Sequence, residues 1–273
     1  MKEFLEQYKL DAVLVHTPAN MRNISGFTGE GLVYVSKEDA WILTDSRYTI
    51  AAAKESRGFE VLEYKRNMQQ YLMEKIVKEH PELAEKTFRI GFEDAVMTVE
   101  TYRTLEALFE KMNLKQWELV PLHKKIDKMR RIKTPEEIES IKKAEKIGDE
   151  AFTKVTDWLT KCYREKTSVT EKQVAAHIEF YMRDAGAEGT SFDTIAASGS
   201  NSSLPHAMPQ PKLLTEGDFL TMDFGCMYQG YCSDMTRTIH IGEVVESEQK
   251  KVYDTVLQAQ LAALSVVKPG MVC

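Results

Sequence analysis

Residues 191–238 read SFDTIAASGSNSSLPHAMPQPKLLTEGDFLTMDFGCMYQGYCSDMTRT and hold the most informative pattern in the chain. Two strand-like runs flank the dipeptide Gln229-Gly230. A glycine at this position supplies a positive φ, so the pattern predicts a β-hairpin with a two-residue loop. That loop fixes the register of the strands and places Asp223 directly opposite Thr236.

A second carboxylate belongs to the same face of the predicted hairpin. Asp234 lies two residues before Thr236, and side chains alternate between faces with a period of two. Two acids on one inward face repel each other unless a cation lies between them, and oxygen ligands of this kind suit divalent metals. From the residues alone, two interpretations stay open: Asp223 and Asp234 bind metal, or they lie on a solvated face or pair with Arg237.

A loop rich in small residues precedes the hairpin. Residues 197–206 read ASGSNSSLPH and end on His206, which is a candidate donor to a substrate carbonyl or an exposed surface histidine. Another histidine, His240, has the strand parity of Asp234. Six residues of strand would place it about 20 Å from Asp234, too far to share an ion.

The wider chain divides into two parts. Up to about residue 120, short apolar runs alternate with amphipathic segments, which predicts an α/β domain. The predicted strands are 11–16, 32–36, 40–44, 60–62 and 89–92, and the predicted helices are 47–54, 67–78 and 99–111.

The second part begins with a strong helix start. In Thr134-Pro135-Glu136-Glu137 the threonine is the N-cap, the proline takes the first helical position, and Glu137 closes a capping box. A second helix is predicted to start at Thr170, with Gln173 three residues on, and to stop at Gly186. A third is predicted over 247–267, with strands over 191–198 and 218–241. The basic stretch 121–133 is predicted to be a solvated connector, with an interaction surface as the alternative.

Composition excludes several classes of protein. Hydrophobic residues make up 43% and charged residues 29% of the 273 residues, which is ordinary globular usage. The formal net charge is −6, which disfavours nucleic-acid binding. No secretory or membrane-spanning run occurs in the sequence, so no membrane partner is expected. Four scattered cysteines without a C-x-x-C spacing fit a reducing cytoplasm.

These motifs together resemble a known family. The stretch 191–238 is similar to the pita-bread-fold metallopeptidases, specifically the Xaa-Pro aminopeptidase and prolidase family. Residues 20–48 (NMRNISGFTGEGLVYVSKEDAWILTDSRY) resemble its creatinase-like N-terminal domain, and residues 131–138 (RIKTPEEI) resemble the entry to its catalytic domain. The resemblance implies an α/β creatinase-like domain over 1–128. It also implies the N-terminal portion of an α+β pita-bread catalytic domain over 129–273, incomplete at its C-terminus.

The resemblance also implies roles for three residues. Asp223 matches the aspartate that chelates one metal ion, and Asp234 matches the aspartate that bridges two ions. His206 matches the active-site histidine that contacts substrate and helps to stabilise the tetrahedral intermediate. The implied cofactors are two divalent ions in the complete protein, manganese first, with cobalt and zinc as alternatives. The ions would offset the charge that develops on the carbonyl oxygen during hydrolysis.

The family pattern places further metal ligands, one histidine and two glutamates, in a C-terminal part that begins near residue 267. We therefore expect the 273-residue form to bind metal weakly and to be inactive alone. The predicted function is that of an Xaa-Pro aminopeptidase; the alternatives are an Xaa-Pro dipeptidase (prolidase) and a non-catalytic pita-bread module that binds proteins. The expected partners are proline-containing peptides and, in the complete protein, a second copy in a homodimer.

Overall fold

The computed structural model describes residues 1–243 and 248–272. The chain forms two compact units, Met1–Lys133 and Thr134–Cys273. The division predicted from the sequence lies earlier, after residue 128. The helix start at Thr134 therefore coincides with the beginning of the second unit.

The first unit is a six-stranded mixed sheet with helices on both faces. Its strands are β1 (Ala12–Val15), β2 (Leu32–Ser36), β3 (Ala40–Thr44), β4 (Glu60–Glu63), β5 (Phe88–Phe92) and β6 (Trp117–Pro121), in the order β4-β3-β2-β1-β5-β6. Its helices are α1 (Lys2–Tyr8), α2 (Pro18–Ser25), α3 (Thr49–Glu55), α4 (Met68–Glu79), α5 (Val99–Lys111) and α6 (Lys125–Met129), with a 3-10 helix over Pro81–Glu85. Strand β2 is antiparallel to both neighbours, whereas β5 is parallel to β1 and β6.

Both faces of this sheet are buried. Along β1, Ala12 and Leu14 enter one hydrophobic cluster, while Val13 and Val15 enter another. The alternation follows from the period-two arrangement of side chains in a strand. Continuous apolar runs such as β1 are therefore the expected signature of this α/β unit, as the sequence analysis predicted.

The basic stretch 121–133 is partly folded, so the prediction of a solvated connector is wrong for that part. Helix α6 lies within it, and Leu122 and Ile126 are each 1% exposed in the core of the first unit. The many lysines and arginines of this stretch obscured two buried apolar side chains that lie four residues apart. The short elements α1, α2, β6 and α6 were likewise not predicted.

The second unit packs two long helices on one face of small antiparallel sheets. Its elements are α7 (Pro135–Arg164), α8 (Glu171–Asp184), β7 (Gly189–Thr190), β8 (Ile195–Ser198), a 3-10 helix (Gly199–Ser203), β9 (Phe219–Phe224), β10 (Cys226–Tyr228), β11 (Tyr231–Cys232), β12 (Met235–His240) and α9 (Glu248–Val266). The strands form two sheets, β12-β9-β8 and β11-β10-β7. The first residue of the predicted third helix, Ser247, lies outside the described residues.

Capping boxes begin both long helices, as predicted. The Thr134 side chain accepts from the Glu137 backbone N–H, and the Glu137 carboxylate accepts from the Thr134 backbone N–H. Thr170 and Gln173 form the same reciprocal pair at α8. These local contacts satisfy backbone donors that have no partner inside the helix.

The hairpin has the predicted register. Gln229 and Gly230 both have positive φ, as a type I′ turn requires, and Tyr228 pairs with Tyr231. The long strands are interrupted near Gly225 into two sheets, a break that the sequence analysis did not predict. The register nevertheless continues through the interruption on both strands.

Helix α9 makes little contact with the rest of its unit. None of its described side chains is buried, and Val252, Val256 and Leu264 are exposed. Tyr253 lies near the Phe219 ring, with 6.2 Å between ring centroids. In the part of the chain that the structure describes, no helix is long and apolar enough to cross a membrane.

Candidate metal centre

The candidate centre lies on the β9–β12 strand pair. Asp223 and Thr236 are directly paired, and the Thr236 hydroxyl donates a hydrogen bond of 2.9 Å to Asp223 Oδ1. Asp223 is half-buried between the buried residues Met222 and Phe224, which point into the core. The carboxylate therefore projects from the sheet face opposite α7 and α8.

Asp234 belongs to the same open face. Its neighbours Ser233 and Met235 are buried, whereas Asp234 and Thr236 are exposed. This alternation places Asp234 on the side of Asp223 and Thr236. The structure thus brings the two predicted metal ligands onto one face, while their role as ligands stays a prediction.

Arg237 does not neutralise either aspartate. Its guanidinium forms an ion pair with Asp149 of α7, with 3.2 Å between Nη2 and Oδ1. Among the described residues, no ion pair is found for Asp223 or Asp234. The interpretation in which Arg237 pairs with these carboxylates is therefore wrong.

The donor set fits part of a divalent-metal site. Carboxylate oxygens are hard ligands that suit divalent cations, and Asp223 and Asp234 offer them from one open face. The Thr236 hydroxyl occupies one position on Oδ1 and orients the carboxylate. Within residues 1–243 and 248–272, no group of three or more histidine, cysteine, aspartate or glutamate side chains could hold a metal ion. Asp223 and Asp234 therefore supply a partial set.

Hydrogen bonds and a close approach to Gly225 hold the backbone just before Asp234. The Ser191 hydroxyl donates to the Ser233 carbonyl over 2.8 Å, and the Cys226 N–H donates to Ser233 Oγ over 2.9 Å. A Cβ on Gly225 would lie 2.0 Å from the Ser233 carbonyl oxygen. Only glycine therefore allows the backbone at 225 and the backbone at 233 to approach this closely. The sequence analysis did not identify this contact.

His206 lies in the loop that follows β8. That strand pairs with β9, with Ile195 opposite Asp223, so the loop starts from the sheet that carries the candidate centre. His206 is exposed, whereas the next residue, Ala207, is buried. Among the described residues, the His206 ring has no hydrogen-bond or ion-pair partner, and its role in catalysis stays a prediction.

His240 lies at the opposite end of the strand pair. It pairs with Phe219, and their rings meet edge to face with 6.1 Å between centroids. Its register confirms the expectation that it is remote from Asp234 along the strand.

A buried carboxylate near this loop was missed by the sequence analysis. Glu171, the first residue of α8, is fully buried and accepts hydrogen bonds from Ser198, Asn201 and Gln210. Burial acts to raise the pKa of Glu171, but these donors outweigh it, so the pKa is lowered from its ordinary value. In the sequence, Glu171 has the pattern of an ordinary acidic residue in a first helical turn.

Comparison with known proteins identifies the family. The model of metallopeptidase family M24 matches residues 139–273, and the creatinase/prolidase N-terminal domain matches residues 1–132. The uncharacterized peptidase YqhT of Bacillus subtilis is 37% identical over 275 residues, covering 99% of this chain and 72% of that protein.

Solved structures give the same result. The Xaa-Pro dipeptidase from Bacillus anthracis superposes with a TM-score of 0.85 at 33% identity, over 99% of this chain and 71% of that one. The X-Pro aminopeptidase from Thermotoga maritima superposes with a TM-score of 0.82 at 33% identity, over 96% of this chain and 72% of that one. The chain belongs to the M24 family of metallopeptidases, with a creatinase-type N-terminal domain followed by a pita-bread domain.

Proposed function

We propose that Asp223, Asp234 and His206 belong to the active site of a metal-dependent exopeptidase that cleaves bonds between an N-terminal residue and proline. The observation that carries this proposal is the pair of aspartates on one open sheet face without a cationic partner among the described residues. The family implies divalent metal ions, and similar proteins are named as Xaa-Pro peptidases.

Each residue has a distinct task in this proposal. Asp223 and Asp234 would supply carboxylate oxygens to the ions, and Thr236 holds the Asp223 carboxylate in one orientation. When bound, divalent ions activate water and offset negative charge on the substrate oxygen. The exposed His206 would donate a hydrogen bond to the substrate carbonyl as its charge develops. Manganese is the proposed metal, with cobalt and zinc as alternatives.

Aminopeptidase and dipeptidase activities both remain candidates for the specificity. The sequence analysis favoured an aminopeptidase, which accepts peptides longer than two residues. A dipeptidase is supported as well, because an Xaa-Pro dipeptidase and an X-Pro aminopeptidase are both similar to this chain at 33% identity, and a curated relative at 34% identity is also named as an Xaa-Pro dipeptidase. Substrate length separates the two activities.

The test is hydrolysis of a matched set of peptides by two samples: the protein made from the complete natural gene, here called the full gene product, and the 273-residue chain. Each is stripped of metal and reloaded with manganese, cobalt or zinc. The set contains an Ala-Pro dipeptide, an Ala-Pro-Ala tripeptide and an Ala-Ala dipeptide. We expect the full gene product to cleave a proline-containing peptide, to spare Ala-Ala and to lose activity with a chelator. The partial donor set predicts no turnover by the 273-residue chain alone.

Two variants and one control sharpen this test. Asp223→Asn and Asp234→Asn should abolish metal-dependent turnover, whereas Asp149→Asn, which removes an exposed carboxylate paired with Arg237, should retain it. A full gene product that binds no divalent metal and cleaves none of the peptides would contradict the proposal. It would favour the non-catalytic module instead.

We also propose that the complete protein is a homodimer, a proposal that rests on the family resemblance. Light scattering during size-exclusion chromatography of the full gene product measures its mass directly. A monomer throughout the concentration range would contradict it.

A further inference from the structure

The loop that carries His206 has two limbs that return to the same place. The outgoing limb leaves β8 at Ser198 and continues through the 3-10 helix Gly199–Ser203. The return limb passes Gln210 and reaches Leu213, which bridges to Thr170 at the start of α8. His206 lies between the limbs, at the exposed end of the loop.

The Glu171 carboxylate contacts both limbs at once. Its Oε1 accepts from the Ser198 backbone N–H over 2.7 Å and from the Ser198 hydroxyl over 2.8 Å. Its Oε2 accepts from the Gln210 backbone N–H over 2.9 Å and from Asn201 Nδ2 over 3.1 Å. One side chain therefore joins the residues on either side of His206.

Burial and further hydrogen bonds fix the Glu171 side chain between the two limbs. The side chain is 0% exposed, and a buried carboxylate is tolerated only where donors satisfy its oxygens. The backbone of α8 adds to the same contact, because the Glu171 N–H donates to the Lys212 carbonyl and the Lys172 N–H donates to the Gln210 carbonyl. The base of the loop is thus fixed by an anion at a helix N-terminus, where the helix dipole favours negative charge.

We propose that Glu171 is a positioning residue for His206: its buried carboxylate holds the two limbs together and so fixes where the imidazole meets a substrate. The contact between the limbs stands on the structure alone, and the consequence for catalysis rests on the proposed function. Loops that carry reacting groups need this kind of support, because a displacement of about 1 Å can cost about a hundredfold in rate.

The variant that tests the proposal is Glu171→Gln. Its amide has a single acceptor oxygen, and its NH2 group would face N–H donors that the carboxylate now satisfies. The matched control is Val155→Ala, which leaves a cavity in the core of the same unit and touches neither limb. A loss of stability throughout the unit would lower amide protection everywhere in both variants. A loss of positioning would lower protection at the two limbs, and only in Glu171→Gln.

The first readout needs no activity. Amide hydrogen exchange is measured by NMR on the 273-residue chain, at Ser198 and Gln210 and at core amides of β9. We expect Glu171→Gln to lower protection at Ser198 and Gln210 by at least about tenfold relative to β9, and to broaden the His206 ring signals. Val155→Ala should lower protection across the unit without singling out these two amides.

The second readout is a double-mutant cycle in the full gene product. If Glu171 acts through His206, Glu171→Gln lowers kcat in the presence of His206 and has no further effect in the His206→Asn background. Equal loss of protection at the loop and at β9 in Glu171→Gln would overturn the proposal, as would the same fall in kcat in both backgrounds. If no peptide is cleaved by any form, the proposed function fails, while hydrogen exchange still decides whether Glu171 holds the loop.

Discussion

Thr236 lies directly opposite Asp223 in the β9–β12 strand pair, and its hydroxyl donates to Asp223 Oδ1 over 2.9 Å. The contact orients a carboxylate that no cation among the described residues neutralises. Hydrogen bonds from neighbouring residues to a metal-binding carboxylate strengthen metal binding, because they hold its oxygen atoms in one orientation before the ion binds. The strand register, which the hairpin loop sets, therefore determines the geometry of a candidate ligand.

Replacing Thr236 with valine should weaken the binding of divalent metal by roughly tenfold or more, because the Asp223 carboxylate loses the donor that orients it. The measurement is calorimetric titration of manganese into the full gene product. The matched control is Thr238→Val, which removes a hydroxyl two residues along the same strand that contacts Thr221 instead. Equal affinities of the two variants would contradict the assignment of Thr236.

Replacing His206 with asparagine should lower kcat by about 100-fold to 1,000-fold, because the shorter asparagine amide does not place a donor where the imidazole would reach the developing oxyanion. Metal affinity should be unchanged, since His206 is not one of the proposed metal ligands. The control is His177→Asn, because that ring stacks on Trp158 in the helical layer, with 3.7 Å between ring centroids. A variant at His206 with wild-type kcat would remove it from the active site.

Replacing Gly225 with alanine should lower the free energy of unfolding by about 1–3 kcal/mol, because the new Cβ would clash with backbone that cannot easily move. The Ser233 carbonyl oxygen would lie 2.0 Å from that Cβ, and Ser191 Oγ would lie 2.4 Å from it. Urea unfolding of the 273-residue chain measures the loss. Gly189→Ala is the control, since a Cβ there would meet only Arg183 at 3.8 Å. Similar free energies of unfolding for the two variants would show that the close approach between positions 225 and 233 tolerates a side chain.

Acid should remove the stabilising contribution of Glu171. The donors around it lower its folded-state pKa below the ordinary value of 4.5, so this contribution is fully present above about pH 4.5 and is lost as pH falls through the folded-state pKa. Urea unfolding of the wild type and Glu171→Gln between pH 7 and pH 3 isolates the effect, because all other carboxylates are common to both. The stability difference should shrink on acidification; a difference that does not depend on pH would show that folding leaves the pKa of Glu171 unchanged.

Several features of the fold could be predicted because they depend on near neighbours in the chain. The capping boxes at Thr134 and Thr170 need only residues three positions apart. The pairing of Asp223 with Thr236 needs only a two-residue loop and counting along two strands. The short helix α6 was missed because the six lysines and arginines of residues 121–133 outnumber the two buried apolar side chains, Leu122 and Ile126.

The sequence by itself therefore determined the family motifs, the starts of the long helices and the shared face of Asp223 and Asp234. Only the tertiary structure decided that Arg237 pairs with Asp149, and that Glu171 is buried against donors 27 and 39 residues away in the chain. The physical reason is the range of the interactions. Turn geometry and strand alternation follow from adjacent residues, whereas burial and the choice of a charge partner depend on which elements pack together.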